Sequence, residues 1–312
     1  MIRRALLAAI GTACLAACAA PAAAPQLAPG PTRSGPAFEQ ALSRVDGPFE
    51  GYLDFVDTAR LAAGPELPGL GGRAGGQLDA YRAPLAAQLK IDLDAAGSVL
   101  TAGRPPRAIT LVSGGQDAAE IRTAATAAGW TGGDTLGRQL SLAEPLTLQA
   151  GTVRPIGSDV VVGAPDAAVA LVDGAGPDLQ DDPVVGPLAR CLGDVLTATL
   201  VTGAGGTGAG GTGIRATGVG LRRAGTDPAR ADSVLCVAAG ATAPDVAAAV
   251  TEAVRSGKPR TGSEPYSAYL TDPQVEQLDG GIVRLIARTP PGAPVTFLIS
   301  ALQRRELPGL AG

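Results

Sequence analysis

Ile109-Thr110-Leu111-Val112, then Ser113-Gly114-Gly115-Gln116-Asp117, then an alanine-rich run from Ala118 to Ala128, is the segment on which the fold turns. Four β-favouring residues make a strand, a glycine turn ends it, and the run that follows is helical. Gly129 suits the left-handed C′ position, and Trp130 at C″ packs back on the last turn. The same grammar returns twice. Asp159 to Val162 precedes Gly163-Ala164-Pro165-Asp166 and an Ala/Val-rich helix. Val234 to Ala238 precedes Gly240-Ala241-Thr242-Ala243-Pro244-Asp245 and a helix to about Ser256, stopped by Gly257. In these two, proline stands near the first helical position with an aspartate beside it, as helix N-termini favour.

Outward from these units, Asp182-Pro183 begins a helix toward Cys191, and Ala293 to Arg305 reads as another. Val195 to Val201, Ile214 to Arg222 and Ile282 to Ala287 are strands with no helix between neighbours. Adjacent strands mixed with strand–helix units predict an α+β fold, a largely antiparallel sheet or sheets with helices packed on one face. The recurrence suggests two related α/β halves, 38–180 and 181–312, with a single long sheet as the alternative.

The 312-residue chain has a net charge of −4, two lysines (Lys90 and Lys258) and only 3% aromatic residues. It offers no basic field for nucleic acid. The skew to Ala, Gly, Pro and Arg suggests high-GC codon bias, which weakens any functional reading of a Gly-rich run.

The N-terminus reads as an export signal. Arg3 and Arg4 precede an apolar run, Ala5 to Leu15, that is too short to span a bilayer. Leu15-Ala16-Ala17-Cys18 then resembles the lipobox of bacterial lipoproteins; an ordinary signal peptide cut near Ala20 is the alternative. The resemblance implies that residues 1–17 are removed and that Cys18 carries a diacylglyceryl group as the mature N-terminus. It implies a cell-membrane protein, lipid-anchored and facing the extracytoplasmic side. Residues 18–37, with Pro21, Pro25, Pro29, Pro31 and Pro36, form a Pro/Ala-rich tether that cannot bury a core. The chain also resembles lipoproteins of high-GC Gram-positive bacteria, through Cys18, the tether, the segment Asp181-Asp182-Pro183 to Cys191-Leu192-Gly193-Asp194, and Cys236. That second likeness supports location and implies no activity.

With Cys14 lost in the signal, Cys191 and Cys236 are an even pair in an exported domain, and a disulfide between them is the expectation. A catalytic thiol is the alternative, but the chain has no histidine to activate it. The absence of histidine also removes Ser–His–Asp sites and the commonest transition-metal ligand. No serine has lysine three positions on. Asp178, Asp181 and Asp182 form an acidic cluster without EF-hand order, and Asp182 reads as the cap of the Pro183 helix.

Thr202-Gly203-Ala204-Gly205-Gly206-Thr207-Gly208-Ala209-Gly210 matches a dinucleotide fingerprint in spacing. A strand precedes it, but β-like sequence follows where the fingerprint needs a helix N-terminus. It reads as a hairpin loop. Ser113-Gly114-Gly115 is a poorer phosphate cradle still, because Asp117 sets negative charge beside it.

The sequence therefore predicts no cofactor, no metal, no dinucleotide and no catalytic set. It predicts a lipid-anchored envelope protein with a non-catalytic binding or scaffold role toward an envelope or cell-wall partner. Two alternatives stand: a carrier of a lipid or other apolar ligand, and an envelope hydrolase working through two carboxylates.

Overall fold

Val160-Val161-Val162 and Leu235-Cys236-Val237 are apolar at consecutive positions, so their strands have two faces to bury. The computed structural model of the protein buries both. It describes residues 35–47, 51–67, 70, 76–104, 107–165, 167–202, 213–224 and 227–310. All belong to one unit, Thr32–Gly312, and Met1–Pro31 lies outside them.

The strands are β1 (Tyr52–Val56), β2 (Ser98–Ala102), β3 (Ile109–Ser113), β4 (Thr131–Gly132), β5 (Leu136–Gly137), β6 (Thr152–Ile156), β7 (Asp159–Gly163), β8 (Thr197–Thr202), β9 (Ala216–Ala224), β10 (Asp227–Ala238), β11 (Thr271–Leu278) and β12 (Ile282–Arg288). They form one 12-stranded sheet in the order β11-β12-β10-β9-β8-β1-β2-β3-β7-β6-β5-β4. Every pairing is antiparallel. The helices are α1 (Ala37–Leu42), α2 (Thr58–Ala63), α3 (Arg82–Pro84), α4 (Ala118–Ala127), α5 (Thr147–Ala150), α6 (Val185–Leu192), α7 (Ala243–Ser256) and α8 (Phe297–Arg304).

From the central β1–β8 pair, the order outward is β1-β2-β3-β7-β6 on one side and β8-β9-β10-β12-β11 on the other. Each arm runs three strands in succession, crosses a helix (α4 or α7), and returns a later strand to its third. Helices α1 and α6 enter the two central strands.

Helices cover both faces, where the sequence predicted one. Leu53, Phe55, Leu100, Leu111, Val161, Val234 and Cys236 pack with α1 and α6. Their strand neighbours Val99, Val112, Val160 and Val162 pack with α4, and Val219, Leu235, Val237 and Leu285 pack with α7 and α8. The physical reason is the apolar content of both strand parities, which one helical layer leaves half in water.

Helix α4 follows its sequence signals. The Asp117 carboxylate accepts from the amides of Ala119 and Glu120 at 2.9 and 3.0 Å, a cap at the N-terminus. Gly129 closes the helix at φ +93°, and the Trp130 amide donates to Ala125 O at 2.9 Å. Trp130 is fully buried, and its indole N–H donates to Ala150 O at 2.8 Å.

The Ala/Val-rich stretch after Gly163 departs from expectation: it makes one 3-10 turn, Val169–Leu171, and no α-helix. Val172 pairs with Val45 in an isolated bridge, and the Asp173 amide donates to Arg44 O at 2.8 Å. These contacts pull the chain along the sheet and leave too little length for a helix.

Candidate functional site

Of the residues singled out in the sequence, Cys18 lies outside the described residues, as do 203–212, the glycine run expected to form a hairpin loop. Thr202 of β8 and Ala216 of β9, which flank that loop, are antiparallel partners. Cys191 on α6 and Cys236 on β10 are joined in a disulfide with Cα atoms 6.2 Å apart. Both are buried, so the link pins the helix to the sheet from inside. Gly218 and Gly220 of β9 make this approach possible. A Cβ on Gly220 would stand 2.8 Å from Val195 Cγ1 and 3.2 Å from Leu192 Cδ2.

Asp182 takes its predicted role. Its Oδ1 accepts from the amides of Val184 and Val185 at 2.8 and 2.9 Å, at the start of α6. No cluster of metal-ligating side chains occurs among the described residues.

Carboxylates recur around single arginines. Arg44 binds Asp159 and Asp173, each at 2.6 Å. Arg60 pairs with Asp194 and reaches Asp57 at 3.7 Å. Arg82 pairs with Asp94 and with Asp79 at 2.6 Å. The Asp173 hydrogen bond raises Arg44 above its ordinary value against the cost of burial. Burial opposes the charge on Arg82, yet the Asp79 hydrogen bond leaves it raised too. Burial pushes Asp57 up, opposed by the Arg60 amide and the Arg60 charge. Pairs such as Arg44 with Asp159 of β7 and Arg60 with Asp194 before β8 join segments far apart in the chain.

The sheet centre carries a polar band on the face away from α1 and α6. Thr199 Oγ1 donates to Asp54 Oδ1 at 2.9 Å, and the hydroxyls of Thr101 and Thr110 lie 2.9 Å apart. The 3-10 segment Gly76–Tyr81 lies against it: a Cβ on Gly76 would stand 3.1 Å from Asp54 Oδ2, and Leu78 is buried. Two open grooves are more accessible. One, of about 520 Å³, lies between α7 and the edge strand β11, along Val254, Arg255, Leu270 and Val275. The other, of about 330 Å³, lies at the end of the central strands. Val45, Ala102, Ile109, Ala168 and Leu171 make its apolar lining, with Arg104 and Arg107 also bordering it. Both arginines are exposed, and neither has a carboxylate partner among the described residues. No local pattern marks this groove, because its apolar residues come from four separate segments.

No family model matches the chain, and no curated protein matches it. Among solved structures, the chain is similar to crystal form III of TP0453, with a TM-score of 0.42 and 13% identity, covering 84% of this chain and 98% of that one. Crystal form IV of TP0453 gives a TM-score of 0.41 and 12% identity, covering 83% and 96%.

Proposed function

We propose that this is a lipid-anchored extracytoplasmic envelope protein, held by an acylated Cys18, that works by binding and not by catalysis. The observation that carries the binding role is the groove at the end of the central strands, where two guanidinium groups with no carboxylate partner among the described residues border an apolar lining. Arginine beside apolar surface suits a partner that offers a carboxylate or phosphate next to hydrocarbon. The buried Cys191–Cys236 disulfide supports the exported location, since such bonds persist in oxidising compartments. No helix among the described residues is long and apolar enough to cross a membrane, so attachment in this reading rests on Cys18.

The partner is an envelope protein or cell-wall component. Crosslinking in intact cells, followed by capture of the membrane-bound chain, should enrich one partner, and Arg104→Glu with Arg107→Glu should lose it. Repeated capture with no difference between wild type and the double variant would sink the groove as the binding locus. The same apolar lining favours an amphiphile as a second reading. Native mass spectrometry of the purified chain checks it, and a consistently empty protein would remove it.

A further inference from the structure

Leu140, Leu142 and Leu148 are 53%, 86% and 40% exposed, a concentration of large apolar side chains in water. The segment that carries them is built. The Ser141 amide donates to Thr147 Oγ1 at 2.9 Å, and the Thr147 hydroxyl, on a fully buried residue, donates to Glu144 O at 2.8 Å. Each exposed leucine therefore stands within one residue of the Ser141–Thr147 junction. Ala143 and Pro145 beside them are exposed as well. Glu144, the only charged residue from 139 to 149, is paired with Arg138 at 2.7 Å, and Arg138 lies over the Trp130 ring. Residues 139–149 thus present hydrocarbon and no unpaired charge.

Protein hot spots are dominated by aromatic and arginine anchors, with leucine under-represented, whereas leucine transfers readily into the acyl region of a bilayer. A bilayer is also within reach. The tether from Cys18 to Gly35 spans about 50 Å if extended. We propose that this corner is a membrane-contact element: Leu140, Leu142 and Leu148 enter the bilayer that holds Cys18 and dock the domain against its surface. The inference rests on the reading that Cys18 is acylated. The two acyl chains of a diacylglyceryl group make attachment durable, and the leucine contact adds apolar area and sets the orientation of the domain.

The test uses the full-length chain purified from membranes and reconstituted into phosphatidylethanolamine/phosphatidylglycerol vesicles that contain nitroxide-labelled acyl chains. An environment-sensitive fluorophore is placed on Leu142→Cys and, as control, on Glu264→Cys at an exposed site elsewhere. Quenching at 142 should exceed that at 264 severalfold. Equal quenching at both sites, in protein that floats with the vesicles, would overturn the proposal. Protein that does not float removes the anchoring reading instead. The label at 142 is then read in the Cys18→Ser chain at raised lipid concentration, where absent quenching overturns the leucine corner in its own right. In that chain, Leu140→Ser with Leu142→Ser should lower vesicle partition roughly tenfold at unchanged Tm. A lipid-independent blue shift that grows with protein concentration would assign the corner to a second copy and overturn the membrane.

Discussion

Glu306 shows how a single side chain can be costly to bury and still hold a domain together. Its side chain is fully buried. Its carboxylate accepts from the Thr261 amide and hydroxyl at 2.9 and 2.8 Å and from Arg304 Nε at 3.2 Å. The Thr261 hydroxyl bond holds the carboxyl below its usual 4.5, against burial, with help from Arg304. A carboxyl lowered in the folded state adds stability above its unfolded value, and that stability is lost as pH falls through the folded value. Glu306→Gln should therefore flatten the acid limb of Tm against pH below about 5; parallel curves for variant and wild type would count against it. Tyr266, whose hydroxyl donates to Glu306 O at 2.7 Å, is pushed up to about 12, first by burial and then by the Glu306 charge. Its charged form is penalised in the fold, so it should erode stability as pH rises from 10 toward 12, measurable as a falling Tm that Tyr266→Phe lacks. Thr197 is the opposite case, a buried residue whose hydroxyl has no partner among the described residues. Thr197→Val keeps the shape and removes the unpaired group, so urea melts should show a gain of about 1 kcal/mol.

At the scale of elements, the disulfide and two glycines define how α6 packs on β9 and β10. The crosslink closes a separation of 45 residues. On the chain-entropy model, Cys191→Ser with Cys236→Ser should cost about 4 kcal/mol at most, read as a lower urea midpoint. An unchanged midpoint would mean that packing alone holds α6. Helices α4, α6 and α7 were legible in the sequence because caps, prolines and periodicity are local signals. Strands β1 and β2, and the chain between them with α2 and α3, were not. Asp54 and Thr101 interrupt their apolar runs and gain their places only from partners such as Thr199 and Thr110 across the sheet. Nothing local sets Gly218 and Gly220 apart in a glycine-rich chain, and only the position of α6 above them gives them a reason.

At the scale of the molecule, β1 against β8 is the strand seam between two similar arms, with α1 and α6 sharing a core over it. Leu53 pairs with Leu200 and Phe55 with Ala198, and Phe55 packs on Phe38 of α1 with ring centroids 5.1 Å apart. Because the seam is a full strand ladder over a shared core, both arms should unfold in one transition. Near-UV and far-UV melts should coincide, and Phe55→Ala should lower stability by about 3–5 kcal/mol without splitting the transition. Two resolved transitions would show that the arms fold independently. The groove with Arg104 and Arg107 and the leucine corner also belong to this scale, since each collects residues that are distant or unremarkable in sequence.

The sequence by itself determined the α+β class, the antiparallel strands, the Cys191–Cys236 pairing expectation and the Asp182 cap, all of which rest on short-range pattern or on compartment chemistry. The tertiary structure alone decided that the strands make one sheet, that helices cover both its faces, and which apolar residues were left in water. Burial is a property of where distant segments meet, and no local pattern carries that information.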